Sequence, residues 1–151
     1  MGIEKDIHQV KFSSAQQKAM INLLFTYGWV IEKIKIFLAK EDITHQQFNI
    51  LRILRGSHPK PLSTLQIRER MLDKMSDTSR IVDRLQTKGL VKKTTCPKDK
   101  RLVDVLIIDK GQKLLKKLDS EADHIMEVMG NLSDKESEQL SGLLDKLRNG
   151  G

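Results

Sequence analysis

Ser76-Asp77-Thr78-Ser79-Arg80-Ile81-Val82-Asp83-Arg84-Leu85 is the stretch on which the fold turns. At about 100° per residue, Thr78, Ile81, Val82 and Leu85 share one side of a helix. Ser76, Arg80, Asp83 and Thr87 lie opposite, with Ser79 and Arg84 flanking them. Ser76 is expected to cap this helix, which runs to about Lys88 and is stopped by Gly89. Hydroxyls and arginines on an outer face suit the DNA major groove. Arg donates a bidentate pair to guanine O6 and N7, and Ser and Thr contact bases or phosphates. Any amphipathic surface helix has a polar outer face too, so its neighbours must decide between the readings.

Upstream, Ser63-Thr64-Leu65-Gln66 is a capping box opening a helix of two turns, with Leu65, Ile67 and Met71 available for packing. Residues 72–75 break it. Before it, Thr44-His45-Gln46-Gln47 opens a helix containing Phe48, Leu51, Ile53 and Leu54, ended by Gly56, and His58-Pro59-Lys60-Pro61 is a loop. Downstream of Gly89 the period changes. Residues 90–96 and 102–108 have strand length and are rich in Val, Ile, Leu and Thr, and 97–101 reads as a hairpin tip. Lys92, Lys93, Lys98, Lys100 and Arg101 crowd this hairpin, with Asp99 the sole acid, expected to pair with Arg101 or cap the turn. Such a hairpin can lie along phosphates and put its tip in a minor groove. Arg favours a narrow, negative minor groove, which makes Arg101 the candidate tip. The plainer reading is a lysine-decorated edge that resists strand pairing. Three helices followed by a hairpin is the order of a winged helix-turn-helix, here spanning 44–108.

The flanks are helical. Ser13-Ser14-Ala15-Gln16 reads as a capping box and starts a helix to about Lys40 with Met20, Leu23, Leu24, Tyr27, Ile31, Ile34, Phe37 and Leu38 at helical spacing. Asp109 is expected to cap a long helix through Leu114, Leu115, Leu118, Ala122, Ile125, Met126 and Met129. Ser133-Asp134-Lys135-Glu136 opens a last one with Leu140, Leu143, Leu144 and Leu147. The expected fold is therefore mainly α with a small β-hairpin wing. A winged helix-turn-helix DNA-binding domain (44–108) sits between an N-terminal (1–43) and a C-terminal (109–151) dimerisation segment, in one compact protomer. The apolar stripes at both ends exceed what the central module can cover, which points to a homodimer.

The chain has 151 residues, with 27 Lys plus Arg and 20 Asp plus Glu, a net charge of +7. The surplus is central: residues 60–108 carry twelve bases and six acids, whereas 109–151 carry seven and nine. That distribution fits a polyanion partner, double-stranded DNA, better than a membrane surface. No apolar run is long enough to span a bilayer, and Met1 to Lys11 lacks the apolar core of a secretory signal. One cysteine, Cys96, cannot form an internal disulfide, so the expected compartment is the cytoplasm. Cys96 is also the one thiol that could sense an oxidant, although an incidental thiol is the simpler reading. His8, His45, His58 and His124 are scattered, and no metal-binding or phosphate-loop motif occurs. Neither enzyme chemistry nor a cofactor or metal is expected. The alternative to a DNA-binding regulator is a protein-interaction adaptor that keeps the winged fold without reading DNA.

Ser76 to Leu85, Lys88-Gly89-Leu90-Val91, Asp99-Lys100-Arg101 and Lys110-Gly111, in this order and spacing, resemble the MarR family of bacterial transcriptional regulators. The capped helices upstream and the long terminal helices extend the likeness to nearly the whole chain. The family often has Leu-Thr before the helix after the wing, where this chain has Ile108-Asp109. The resemblance implies a homodimer whose terminal helices interleave and whose two winged helices bind a pseudo-palindromic operator. Its DNA-contacting residues would be Ser76, Thr78, Ser79, Arg80, Asp83, Arg84, Lys92, Lys98, Lys100 and Arg101. It further implies a repressor released by a small aromatic effector, for which Phe25, Tyr27, Trp29 and Phe48, with Phe37, supply aromatic surface; core or dimer packing would use the same residues.

Overall fold

The computed structural model describes residues 2–95, 97–99 and 103–150. Its elements are α1 (Ile3–Asp6), α2 (Ala15–Ala39), α3 (His45–Ser57), β1 (Leu62–Ser63), α4 (Thr64–Arg70), α5 (Thr78–Thr87), β2 (Val91–Thr95), β3 (Val103–Ile107), α6 (Asp109–Ser120), α7 (Ala122–Met126) and α8 (Asp134–Asn149), with a 3-10 turn at Glu127–Met129. The fold is mostly helical with a small antiparallel wing, as the sequence predicts.

Side chains fix most helix starts. Thr44, Ser63 and Ser133 each accept the N–H three residues on, at 3.1, 3.1 and 3.2 Å. Gln47, Gln66 and Glu136 reach back to the cap N–H groups at 3.1, 2.9 and 2.8 Å, closing three of the four expected boxes. At α2 the box expected from Ser13 to Gln16 is displaced by one residue: the cap is Ser14, which takes the Gln17 N–H, while Gln17 Oε1 accepts from Ser13 N–H. Two expected caps are corrected. Asp77, not Ser76, caps α5, its carboxylate accepting the Arg80 N–H at 3.2 Å. Ser76 instead belongs to the preceding turn, where its N–H donates to the Asp73 carbonyl. The cap of α6 is Ile108, without a side-chain bond; Asp109 sits in the first turn, where its charge complements the helix dipole.

Three further expectations change. Gly56 lies inside α3, which ends at His58 because Pro59 and Pro61 offer no N–H to continue it. Directly after those prolines Leu62 and Ser63 pair with Val105 and Asp104, adding a third strand in the order β1-β3-β2. The predicted long helix from residue 109 is interrupted at Glu121 (φ −107°, ψ 7°), so α6 and α7 are separate.

β2 and β3 pair from Val91↔Ile107 to Thr95↔Val103. Val91, Val105 and Ile107 turn into the core, where they meet Ile50, Leu51 and Leu54 of α3, Ile67 of α4 and Leu85 of α5. Leu65, expected to pack, is 55% exposed, because the short α4 buries only its Ile67 side. Gly89 (φ +74°) closes α5: its N–H bonds to the Gln86 carbonyl and that of Leu90 to the Leu85 carbonyl, the six-to-one and five-to-two pattern that glycine permits. In the protomer α8 buries no residue, and α2 buries only Phe37 and Leu38 near its end.

Candidate nucleic-acid interface

Burial orients α5. Val82 and Leu85 are fully buried, which turns Ser79, Arg80, Asp83, Arg84 and Thr87 outward. Arg80 keeps 71% of its side chain exposed, 3.9 Å from Asp77. Two predicted contacts do not reach that face. Thr78 is only 5% exposed because it lies on the inner stripe, one helical turn before Val82 and two before Leu85. Ser76 is half-buried with its Oγ out of solvent.

Asp83 is exposed, but its carboxylate pairs with Lys93 of β2. It therefore ties the helix to the wing and neutralises one lysine. Lys92 on β2 and Lys98 beyond it are exposed, so the wing offers cations beside α5. Lys100 and Arg101, the predicted wing tip, lie outside the described residues, as does Cys96.

Several positioning residues escaped sequence reading. Lys88 Nζ donates to Gln47 Oε1 at 3.1 Å and to the Asp42 carbonyl, fastening the end of α5 to the start of α3. Lys110 Nζ donates to the Lys88 carbonyl at 2.9 Å. The turn between α4 and α5 is held by Asn49, which accepts the Leu72 N–H at 2.9 Å, and by Asp73, which accepts the Met75 N–H at 3.0 Å. That hydrogen bond is the main reason the Asp73 carboxyl titrates below its usual range. Burial pushes the nearby His45 imidazole below its usual pKa; Asp73 opposes the shift and Lys35 adds to it. The bonds of Lys88, Lys110 and Asn49 reach across 22 residues or more, so no local spacing announces them, whereas the Asp73–Met75 bond is a turn spanning two residues.

The four aromatic residues read as an effector surface do not converge. Tyr27 lies about 160° around α2 from both Phe25 and Trp29. All three are exposed, at 59, 43 and 43%. Phe48 is half-buried on α3 beneath the Arg52 guanidinium, 5.7 Å away.

A winged module with an exposed basic reading face has close relatives among known proteins. The MarR family model matches residues 43–103. A MarR transcription factor from Planctomyces limnophilus, solved as a crystal structure, is 34% identical; the match covers 89% of this chain and 98% of that one, with a TM-score of 0.69. This chain belongs to the MarR family. Two further solved structures share the architecture at lower identity. A mutant MarR from E. coli complexed with operator DNA is 22% identical, covering 97% of this chain and 99% of that one, with a TM-score of 0.75. Bordetella bronchiseptica BpsR, described by the mechanism for regulation of its DNA binding by 6-hydroxynicotinic acid, is 21% identical over 84% of this chain and 96% of its own, with a TM-score of 0.74. The Planctomyces limnophilus protein is described as a transcription factor. No helix among the described residues is long and apolar enough to cross a membrane.

Proposed function

We propose that this MarR-family protein is a cytoplasmic, homodimeric repressor that binds a pseudo-palindromic operator in double-stranded DNA. The observation that carries the reading is the outward set on α5, Ser79, Arg80 and Arg84, beside the exposed lysines of β2 and the wing. Arg80 and Arg84 read base edges, Ser79 contacts a base or phosphate, and Lys92 and Lys98 hold phosphates, with Lys100 and Arg101 completing the wing.

Unpartnered apolar surface supports the dimer. Leu143 and Leu147 of α8 are 65 and 67% exposed, on one stripe with Leu140. On α2, Met20, Leu24 and Tyr27 share one face while Phe25, Trp29 and Ile36 share the opposite one, and all are exposed. A helix apolar on two sides cannot cover both with its own domain. The terminal segments 1–43 and 109–151 then form the dimer and space two recognition helices about 34 Å apart, one duplex turn.

The effector is a small aromatic molecule, the class named for the BpsR relative. A cleft of about 450 Å³ where α6 meets the winged module supports it, with Leu90 and Leu114 as apolar wall and Lys110 and Lys113 as cations.

Binding to the protein's own upstream DNA, measured at several salt concentrations, tests the reading. Affinity above that for random duplex is expected, with a steep negative log–log salt slope from counterion release. Equal affinity for random duplex would leave the adaptor reading in its place.

A further inference from the structure

A cleft of about 370 Å³ separates α4 from the start of α5. Arg68, Thr64 and Leu65 form the α4 wall; Ser76, Asp77, Thr78 and Ser79 form the other. Its polar side chains are one guanidinium, four hydroxyls that can each donate, and one carboxylate. Arg68 is exposed and brings a guanidinium. Thr78 is only 5% exposed, yet its Oγ1 has no hydrogen-bond partner among the described residues. A buried hydroxyl without a partner is costly, so this one is suited to an acceptor arriving from outside. The ten-residue α5 adds its own start: with the Arg80 N–H taken by Asp77, the N–H groups of Thr78 and Ser79 have no partner inside the helix. The one acid present is already engaged, since the Asp77 carboxylate accepts that N–H at 3.2 Å and lies 3.9 Å from the Arg80 guanidinium.

A convergent set of donors with one uncompensated positive charge matches a singly charged anion rich in acceptor oxygens. We propose that this cleft seats one backbone phosphodiester of the operator duplex, with Arg68 as its cation. The inference rests on reading α5 as the groove-reading helix. Ser79 belongs both to the outer face of α5 and to the cleft, so the cleft continues the reading surface and meets the strand at the groove edge. Its role is to fix the insertion of α5, adding affinity without sequence information.

The test uses the full-length protein and operator duplexes carrying a neutral methylphosphonate at successive single positions. Wild type is expected to lose about tenfold in affinity at one position in each half-site. Arg68→Ala should weaken binding to operator and random duplex alike, flatten the salt slope by about one per subunit, and make that position silent. Arg68→Lys should keep the slope. Because Arg68 is exposed, its thermal melting should match wild type. Operator binding by Arg68→Ala with an unchanged slope, or with the sensitive position still present, overturns this inference alone. Wild type that binds no operator overturns it together with the regulator reading.

Discussion

Leu90 and Gly111 meet backbone to backbone where the wing joins α6. A Cβ on residue 111 would run into the Leu90 carbonyl oxygen and stand 2.8 Å from Ile107 Cγ1. That carbonyl also accepts the Ile108 N–H at 3.2 Å, so it cannot retreat without breaking the junction. Gly111→Ala is therefore expected to destabilise the protein by about 1–3 kcal/mol through overpacking. Urea unfolding followed by circular dichroism checks this, and an unchanged midpoint would contradict it.

Arg80, exposed on the outer face of α5, is the proposed base reader. Arg80→Ala should cost about 1–3 kcal/mol of operator affinity and relax discrimination at one base position. Its thermal unfolding should match wild type, because the side chain is 71% exposed. A competition assay against single-base operator variants measures both; equal losses at every variant would make Arg80 a phosphate contact.

Asp83 opposes DNA electrostatically while it holds Lys93. Asp83→Asn frees the lysine and removes an acid from the reading face. Affinity for random duplex should rise and the operator-to-random ratio should fall. Folding stability should change by under about 1 kcal/mol, since the pair is partly exposed. Parallel titrations of operator and random DNA decide this; weaker random-duplex binding would be the contrary result.

The leucine stripe of α8 has no cover within the protomer. Leu143→Asp with Leu147→Asp should convert the dimer to monomers at micromolar concentration and abolish operator binding. The winged module should keep its secondary structure, because neither residue touches the core. Analytical ultracentrifugation reads the mass; a double variant that stays dimeric would place the interface elsewhere.

His45 makes stability depend on pH. Burial is the main cause of its lowered pKa, so the unfolded chain takes the proton more readily than the folded one. Above the usual value of 6.5 both forms are neutral and nothing is lost. As pH falls below 6.5 stability drops, and the loss is complete below the folded-state pKa. Denaturation midpoints between pH 7.5 and 5.5 should fall more steeply for wild type than for His45→Gln, in experiments set at roughly the histidine range. Parallel curves would show that burial of His45 carries no protonation penalty.

Local signals carried far in this chain. The boxes at Thr44, Ser63 and Ser133 were legible because a cap and its partner stand three residues apart in sequence as in space. The outward turn of Arg80 followed from the 3.6 period that buries Val82 and Leu85. The cap of α5 was legible only to within one residue, since Ser76 and Asp77 are both good caps and the Asp73 turn decides between them.

By itself, then, the sequence determined the order of the main helices and of the two wing strands, the outward face of α5 and its basic neighbourhood, because periodicity and capping act within a few residues. Only the tertiary structure decided that Asp83 is spent on Lys93, that β1 joins the sheet and that Arg68 faces the start of α5 across a cleft. Those facts depend on which surfaces meet when distant segments pack, and no spacing along the chain encodes that.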